Sequence, residues 1–295
     1  MIPLAGILIV FAAVAGGYLI ESGDPGILAQ PAELLIILGS ALGAMLAANP
    51  ISRLARIART LGKIFGAPGY TTDRYLAMLV MLHSVFQFAR RQGGSALENA
   101  VDNPGGSPLF AAHANALANR EALDFVCDTL RISSLGTVAP YHLEIMLDND
   151  LELRRREAFG PVESLETLAD SLPGFGIAAA VLGVILAMGS LKDSPLQMGI
   201  KIASALVGTF TGILLAYGVV SPVAARIAKI EDAESTYFEA IKAGLASFAK
   251  GMPPSIAVEC ARRAIPTEIR PDFEKTVEAC RRGAIHTPAK SSVLK

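Results

Sequence analysis

Uncharged and charged stretches alternate along the chain in long blocks. Four stretches contain no charged residue: Ile2–Ile20, Leu34–Ser52, Ser171–Leu191 and Ile202–Ala225. A helix that crosses the hydrocarbon layer of a membrane needs about 20 predominantly apolar residues, and each stretch has roughly that length. The pattern therefore predicts four transmembrane helices. The first is interpreted as a span and not as a signal peptide, because no basic segment precedes its apolar run.

The charged segments have the periodicity of amphipathic helices. Apolar residues recur at helical spacing in Arg74–Arg91, Asn119–Leu135, Tyr141–Phe159 and Ile230–Lys250. Asn103–Pro108 is predicted to be a loop, because prolines and glycines interrupt both helix and strand. The predicted fold class is an all-α membrane protein, with four transmembrane helices, a large helical cytoplasmic loop and a helical C-terminal tail.

Basic residues indicate how the spans are oriented. Twelve of the 26 Lys and Arg residues lie in 53–170 and twelve lie in 226–295, whereas Lys192 and Lys201 lie between the third and fourth spans. Cytoplasmic segments normally hold the excess of basic residues. The chain is thus divided into a first membrane pair (1–52), a cytoplasmic loop (53–170), a second membrane pair (171–225) and a cytoplasmic tail (226–295). Both termini are predicted to be cytoplasmic.

Composition and motifs exclude several other classes of protein. The chain is 52% hydrophobic with a net charge of -1, so nothing in its charge points to a nucleic acid. Its three cysteines include no C-x-x-C pair, which argues against a disulfide framework. No enzyme, metal site or cofactor is expected, because no nucleotide-binding or hydrolase motif occurs. The histidines have no zinc-ligand spacing and are interpreted as ordinary structural residues: His83, His113, His142 and His286.

The third and fourth spans have small residues at every fourth position. Such residues allow helix backbones to approach closely in a membrane, within one chain or between neighbouring chains. The two stripes are Ala179, Gly183, Ala187 and Gly208, Gly212, Ala216.

The uncharged spans also contain no ionisable side chain, although ion relays normally require one. If ions pass here, the titrating carboxylate is expected from another polypeptide. Thr209 offers a hydroxyl inside the membrane, although a membrane threonine commonly bonds back to its own helix. Pro173 and Pro222 each remove a backbone donor near the cytoplasmic side, which could create a flexible seam. Alternatively, Pro173 is a first-turn proline and Pro222 a tolerated kink.

Several segments resemble the MotA family of flagellar stator subunits. Residues 170–184 and 205–218, followed by Ser221-Pro222, are similar to the third and fourth spans of that family. Shorter similar motifs are Gln30–Glu33, Ala96–Glu98, Asp102–Pro104, Pro253-Pro254 and Ala257–Glu259. The similarity extends over nearly the whole chain.

The resemblance implies a function and an assembly. A ring of five such chains would surround two copies of a MotB-like single-span partner, which supplies the ion-binding aspartate. The unit would reside in the lipid of the bacterial inner membrane, and ion flow would turn the ring against the rotor protein FliG. An ExbB/TolQ-like energiser of outer-membrane processes is the alternative. That alternative is less favoured because those proteins usually have three spans.

The resemblance also implies roles for individual residues. Pro173 and Pro222 match prolines linked to conformational coupling and ion passage, and Thr209 matches a hydroxyl near the ion path. Ala180 stands where sodium-driven relatives have threonine. An alanine side chain offers no oxygen to a cation, so we expect a proton-driven unit.

Arg90 and Glu98 match the charged residues of the family that face the rotor. On residue pattern alone, both would be interpreted as part of a solvated helix face, because exposed charges usually contribute little to stability.

Overall fold

The computed structural model describes residues 2–64, 66, 69–113, 120–189 and 195–285, and this part of the chain contains helices and no strand. The predicted all-α class is therefore confirmed. His286, Lys192, Asn119 and the predicted end of the third span at Leu191 lie outside the described residues.

Prolines set the ends of the first helices. The bounds are Ile2–Ile20 (α1), Pro25–Leu28 (α2), Pro31–Ala48 (α3) and Ile51–Lys63 (α4). Pro31 occupies the first turn of α3, where a missing N–H costs nothing. The second membrane helix therefore begins before the uncharged stretch and includes Glu33. It ends before Pro50, and Ser52 belongs to α4.

Four helices follow in the predicted loop: Thr72–Gln92 (α5), Gly94–Asp102 (α6), Pro108–Ala111 (α7) and Arg120–Ser134 (α8). The Thr71 hydroxyl caps α5 by accepting a hydrogen bond from the Arg74 N–H at 3.4 Å. Gly93 follows α5 with a φ of 82°, a conformation that glycine adopts without strain. The predicted helices at Arg74–Arg91 and Asn119–Leu135 correspond to α5 and α8.

The second half of the chain is built on two very long helices. Helix α9 (Pro140–Met188) has 49 residues and joins a predicted loop helix to the third span without a break. Helix α10 (Pro195–Leu215) continues through a π-helical turn (Ala216–Val220) into α11 (Ser221–Ala249). Two shorter helices, α12 (Pro254–Arg263) and α13 (Phe273–Ile285), complete the described part.

The chain divides into two compact units. The membrane unit comprises residues 1–66 and 157–230, and the helical unit comprises residues 67–156 and 231–295. Within the described residues, four helices are long and apolar enough to cross a membrane, as the sequence predicts. The predicted boundaries at residues 52, 170 and 225 concern membrane surfaces, which compactness does not locate, so they stay predictions.

The helical unit has its own apolar core around α5. One face of α5 is buried from Tyr75 to Phe86 and packs with residues of α8, α11 and α12. The Phe86 ring stacks on Phe248 of α11, with 4.4 Å between ring centroids. Burial of this face from water is the main stabilising contribution to the unit.

Candidate functional site

Helices α9 and α10 approach each other so closely that only glycine fits at several positions. A Cβ atom added to Gly176 would lie 2.8 Å from the Gly208 carbonyl oxygen. One added to Gly212 would lie 2.7 Å from the Leu172 carbonyl oxygen. Both distances are shorter than van der Waals contact, and the obstructing atoms are backbone. The small-residue prediction is therefore confirmed as packing within one chain, with Gly176 as a contact that the two stripes did not include.

Ala180 and Thr209 lie at this contact. Ala180 is buried, and its amide nitrogen is 3.3 Å from the position of a Cβ on Gly208. The Thr209 Cα lies 3.3 Å from the position of a Cβ on Gly176. Thr209 is half-buried. The structure therefore brings the two predicted ion-path residues to one level of the helix pair. Their contribution to ion passage stays a prediction.

Pro173 lies deep within α9, so its interpretation as a first-turn proline is wrong. Helix α9 extends far beyond the membrane segment, because the charged residues before Pro173 are also good helix formers. Pro173 is half-buried. The helix continues through it although the ring removes one backbone hydrogen bond.

Pro222 is the second residue after the π-helical turn and is exposed. Proline has no N–H, and its ring would collide with the carbonyl four residues earlier, that of Gly218. A wider turn relieves that collision. Because Leu172 lies beside Gly212, Pro222 is about ten residues further along, or roughly 15 Å at 1.5 Å per residue. Within one chain, the two prolines thus lie at different levels.

Glu33 is a buried acid that the sequence prediction did not include. The prediction of membrane helices without ionisable residues is wrong for the helices as they are built, because α3 includes Glu33 and α10 includes Lys201. Glu33 is 9% exposed and shares a buried face with Ile37 and Ala41. Residues 33, 37 and 41 are spaced so that they lie on one face of a helix. This spacing is the sequence signal that could have identified Glu33 as a buried residue.

The two predicted rotor-facing residues are both exposed in the helical unit. Arg90 is in the last turn of α5, where a positive charge is favourable to the helix dipole. Its Nη2 donates a hydrogen bond to the Gly251 carbonyl oxygen at 3.1 Å. Glu98 lies on α6, which Arg131 of α8 holds by donating to Asp102 at 2.9 Å. A hydrogen bond therefore holds the Arg90 side chain, and another holds the helix that carries Glu98. The contact of both residues with the rotor stays a prediction.

In the described part of the chain, no group of three or more His, Cys, Asp or Glu side chains could hold a metal ion. Burial, with a smaller effect of Arg91, lowers the pKa of His83. Burial also lowers the pKa of His113. Burial raises the pKa of the thiols of Cys127 and Cys280 to about 12, so both stay protonated at neutral pH.

These features define an all-helical membrane protein with four candidate spans and a tightly packed helix pair. Residues 4–93 match the motility protein A N-terminal family, and residues 119–240 match the MotA/TolQ/ExbB proton channel family. Motility protein A of Escherichia coli K12 is 37% identical, over 99% of this chain and 98% of its own. Chemotaxis protein LafT of Vibrio parahaemolyticus is 31% identical, over 92% and 95%. The chain belongs to the motility protein A family.

Solved structures have the same fold. The structure of C. jejuni MotAB matches with a TM-score of 0.74 and 18% identity, covering 92% of this chain and 98% of that one. The flagellar MotAB stator complex of Bacillus subtilis matches with a TM-score of 0.73 and 22% identity, over the same shares. The chain is thus an inner-membrane protein of a proton channel family. Its match to the motility-specific N-terminal family favours a stator over an ExbB/TolQ-like energiser.

Proposed function

We propose that this chain is the torque-generating stator subunit of a flagellar motor and conducts protons together with a MotB-like single-span partner. The observation on which this proposal chiefly rests is the close contact of α9 and α10 beside Ala180 and Thr209. A contact of this kind gives a stiff, uncharged wall. Such a wall can line an ion path without trapping the ion.

The partner is needed to supply a titrating group at the level of Thr209. From Ser171 to Met188, α9 contains no ionisable residue, and α10 contains only Lys201. A carboxyl group on the partner could bind a proton there and release it on the other side. One elementary charge that crosses 100 mV releases about 2.3 kcal/mol. Several such steps are enough to move a helical assembly against a load.

Exposed apolar surface supports assembly of several copies in lipid. None of the apolar window of α1 is buried within the chain. On α9, large apolar side chains such as Ile185 and Leu186 are also exposed. These faces fit lipid and neighbouring subunits, and a ring of five chains around two partner chains is the assembly that we propose. The excess of basic residues in the loop and tail supports cytoplasmic termini.

The exposed charges of Arg90 and Glu98 are the proposed contact with the rotor protein FliG. Complementary charges across such an interface would set its register and accelerate encounter. Ala180 supports protons as the coupling ion, because a methyl group provides no oxygen for a sodium ion.

Complementation of motility tests this function. The chain and its partner are expressed in a strain that lacks stator genes. We expect restored swimming, a speed independent of external sodium at fixed pH, and at least a tenfold loss of motility for Arg90→Glu and for Glu98→Lys at normal membrane levels. Glu274→Lys, at an exposed position of α13, is the control and should swim normally. Full motility of both charge-reversal variants would argue against the rotor contact, and failure of the wild-type pair would argue against the function.

A further inference from the structure

Glu33 has surroundings that packing alone does not explain. It lies in the first turn of α3, the second membrane helix, and is the only acid of that helix. The side chain is nine-tenths buried, and its Oε2 atom has no hydrogen-bond partner among the described residues. An unpaired carboxylate in such a place is strongly disfavoured, and binding a proton removes the charge.

The carboxyl group lies directly against the contact between α9 and α10. A Cβ on Gly183 would be 3.7 Å from Glu33 Oε1 and 2.7 Å from Ala205 Cβ. The close approach of Ala205 therefore requires glycine at position 183, and the carboxyl oxygen lies within ordinary contact distance of the same point. The acid is turned towards the helix pair and not towards lipid.

This position is one helical turn outside the predicted ion path. Ala205 precedes Thr209 by four residues, which is about 6 Å along the helix. Gly183 follows Ala180 by three residues, or about 4.5 Å in the same direction. Close by, Gln30 Nε2 donates to the Ser204 hydroxyl at 2.9 Å. Polar groups thus extend from the connection before α3 to Glu33, which lies about one helical turn outside Thr209.

Few other charges face Glu33. Helix α9 has none between Asp170 and Met188, and α3 has no second ionisable group. On α10 the single charge is Lys201, one turn further outward than Ala205, and it has an interaction of its own. The carboxyl therefore has no acid beside it on these three helices that would compete for a proton.

We propose that Glu33 is a proton-binding site at the outer end of the ion path, which takes protons from the periplasm and passes them inward towards the partner's carboxyl group. The inference rests on the proposed function. The step only moves a proton: it binds to a carboxylate oxygen of Glu33 and leaves from the same carboxyl group, with no other bond formed or broken.

Rotation of a load by the complete stator complex tests the proposal. Glu33→Gln keeps the size of the side chain and removes its ability to titrate. The matched control is Glu21→Gln, an exposed acid in the same connection. At low load, where proton arrival limits speed, we expect Glu33→Gln to rotate at least threefold more slowly than wild type at external pH 8. The deficit should shrink at pH 6, and stall torque should stay normal. Glu33→Asp should recover most of the speed.

A second measurement does not depend on rotation. Infrared spectra of the purified complex in vesicles should show a protonated-carboxyl C=O band at pH 7 that Glu33→Gln lacks and Glu21→Gln retains. Unchanged low-load speed at every pH, or an equal loss of stall torque and speed, would overturn the proposal, as would an infrared band unaltered by Glu33→Gln. If wild type shows no rotation but the band is present, the stator function fails and proton binding by Glu33 stands.

Discussion

At the scale of single residues, the glycines between α9 and α10 show which parts of a helix contact can be predicted from sequence. The four-residue spacing predicted Gly208 and Gly212 as contact positions, and both are. Gly176 falls outside this spacing, because the contact between two packed helices takes in residues from more than one row of each helix. The pattern identifies which face packs, whereas the partner atom depends on how the two helices meet. Glu33 was missed for a related reason, since a search for uncharged stretches excludes any buried acid.

Gly176→Ala should loosen the helix pair. The added methyl group would lie 2.8 Å from a backbone oxygen that cannot rotate away. Overpacking of this kind costs about 1–3 kcal/mol. We expect a lower midpoint of thermal unfolding for the purified complex and weaker swimming. Gly174→Ala is the matched control, because a Cβ at Gly174 meets nothing within 4 Å. Equal behaviour of the two variants would contradict the close contact.

At the scale of helices, the segments that can lie in the membrane and the ends of the helices are different boundaries. The uncharged stretches indicate where the chain can lie in lipid, and all four contain membrane helices. They do not locate helix ends, because a helix continues through charged residues once it leaves the membrane. Helix α9 illustrates this point, because it continues from Pro140 to Met188, whereas the sequence pattern predicted separate helical segments. The π-helical turn before Pro222 was not predictable, because a kink or a wider turn can relieve the same clash.

Pro222→Ala should regularise the fourth membrane helix. Alanine restores an N–H that can bond to the Gly218 carbonyl, and a proline inside a helix costs about 3 kcal/mol. We expect slower amide exchange at residues 216–221 and unchanged or higher thermal stability. If the wider turn serves coupling, stall torque should fall at least fivefold. Pro31→Ala, at the first turn of α3, should leave the amide exchange of these residues and the stall torque unchanged. A variant with regular exchange and full torque would show that the turn has no mechanical role.

At the scale of the whole molecule, the ionisable groups lie too far apart for one chain to pass protons. Along α9, about thirteen residues separate Gly183 from Asp170, which is roughly 20 Å without a titratable side chain. Sequence anticipated this gap, which explains why a partner was predicted from the residues alone. The number of chains could not be predicted in the same way, since it depends on how exposed faces such as those of α1 meet.

Reconstitution in liposomes should therefore separate the chain from its complex. We expect no proton flux above background when this chain is inserted alone under an applied potential of 100 mV. Co-insertion with the partner should give a flux that ends when the partner's membrane aspartate is replaced by asparagine. Native mass spectrometry of the complex should show five copies of this chain with two of the partner, which is the assembly that the family resemblance implies. Flux through this chain alone would mean that hydroxyls such as Thr209 and ordered water bridge the 20 Å gap. The close contact of glycine with backbone atoms leaves little room for such water.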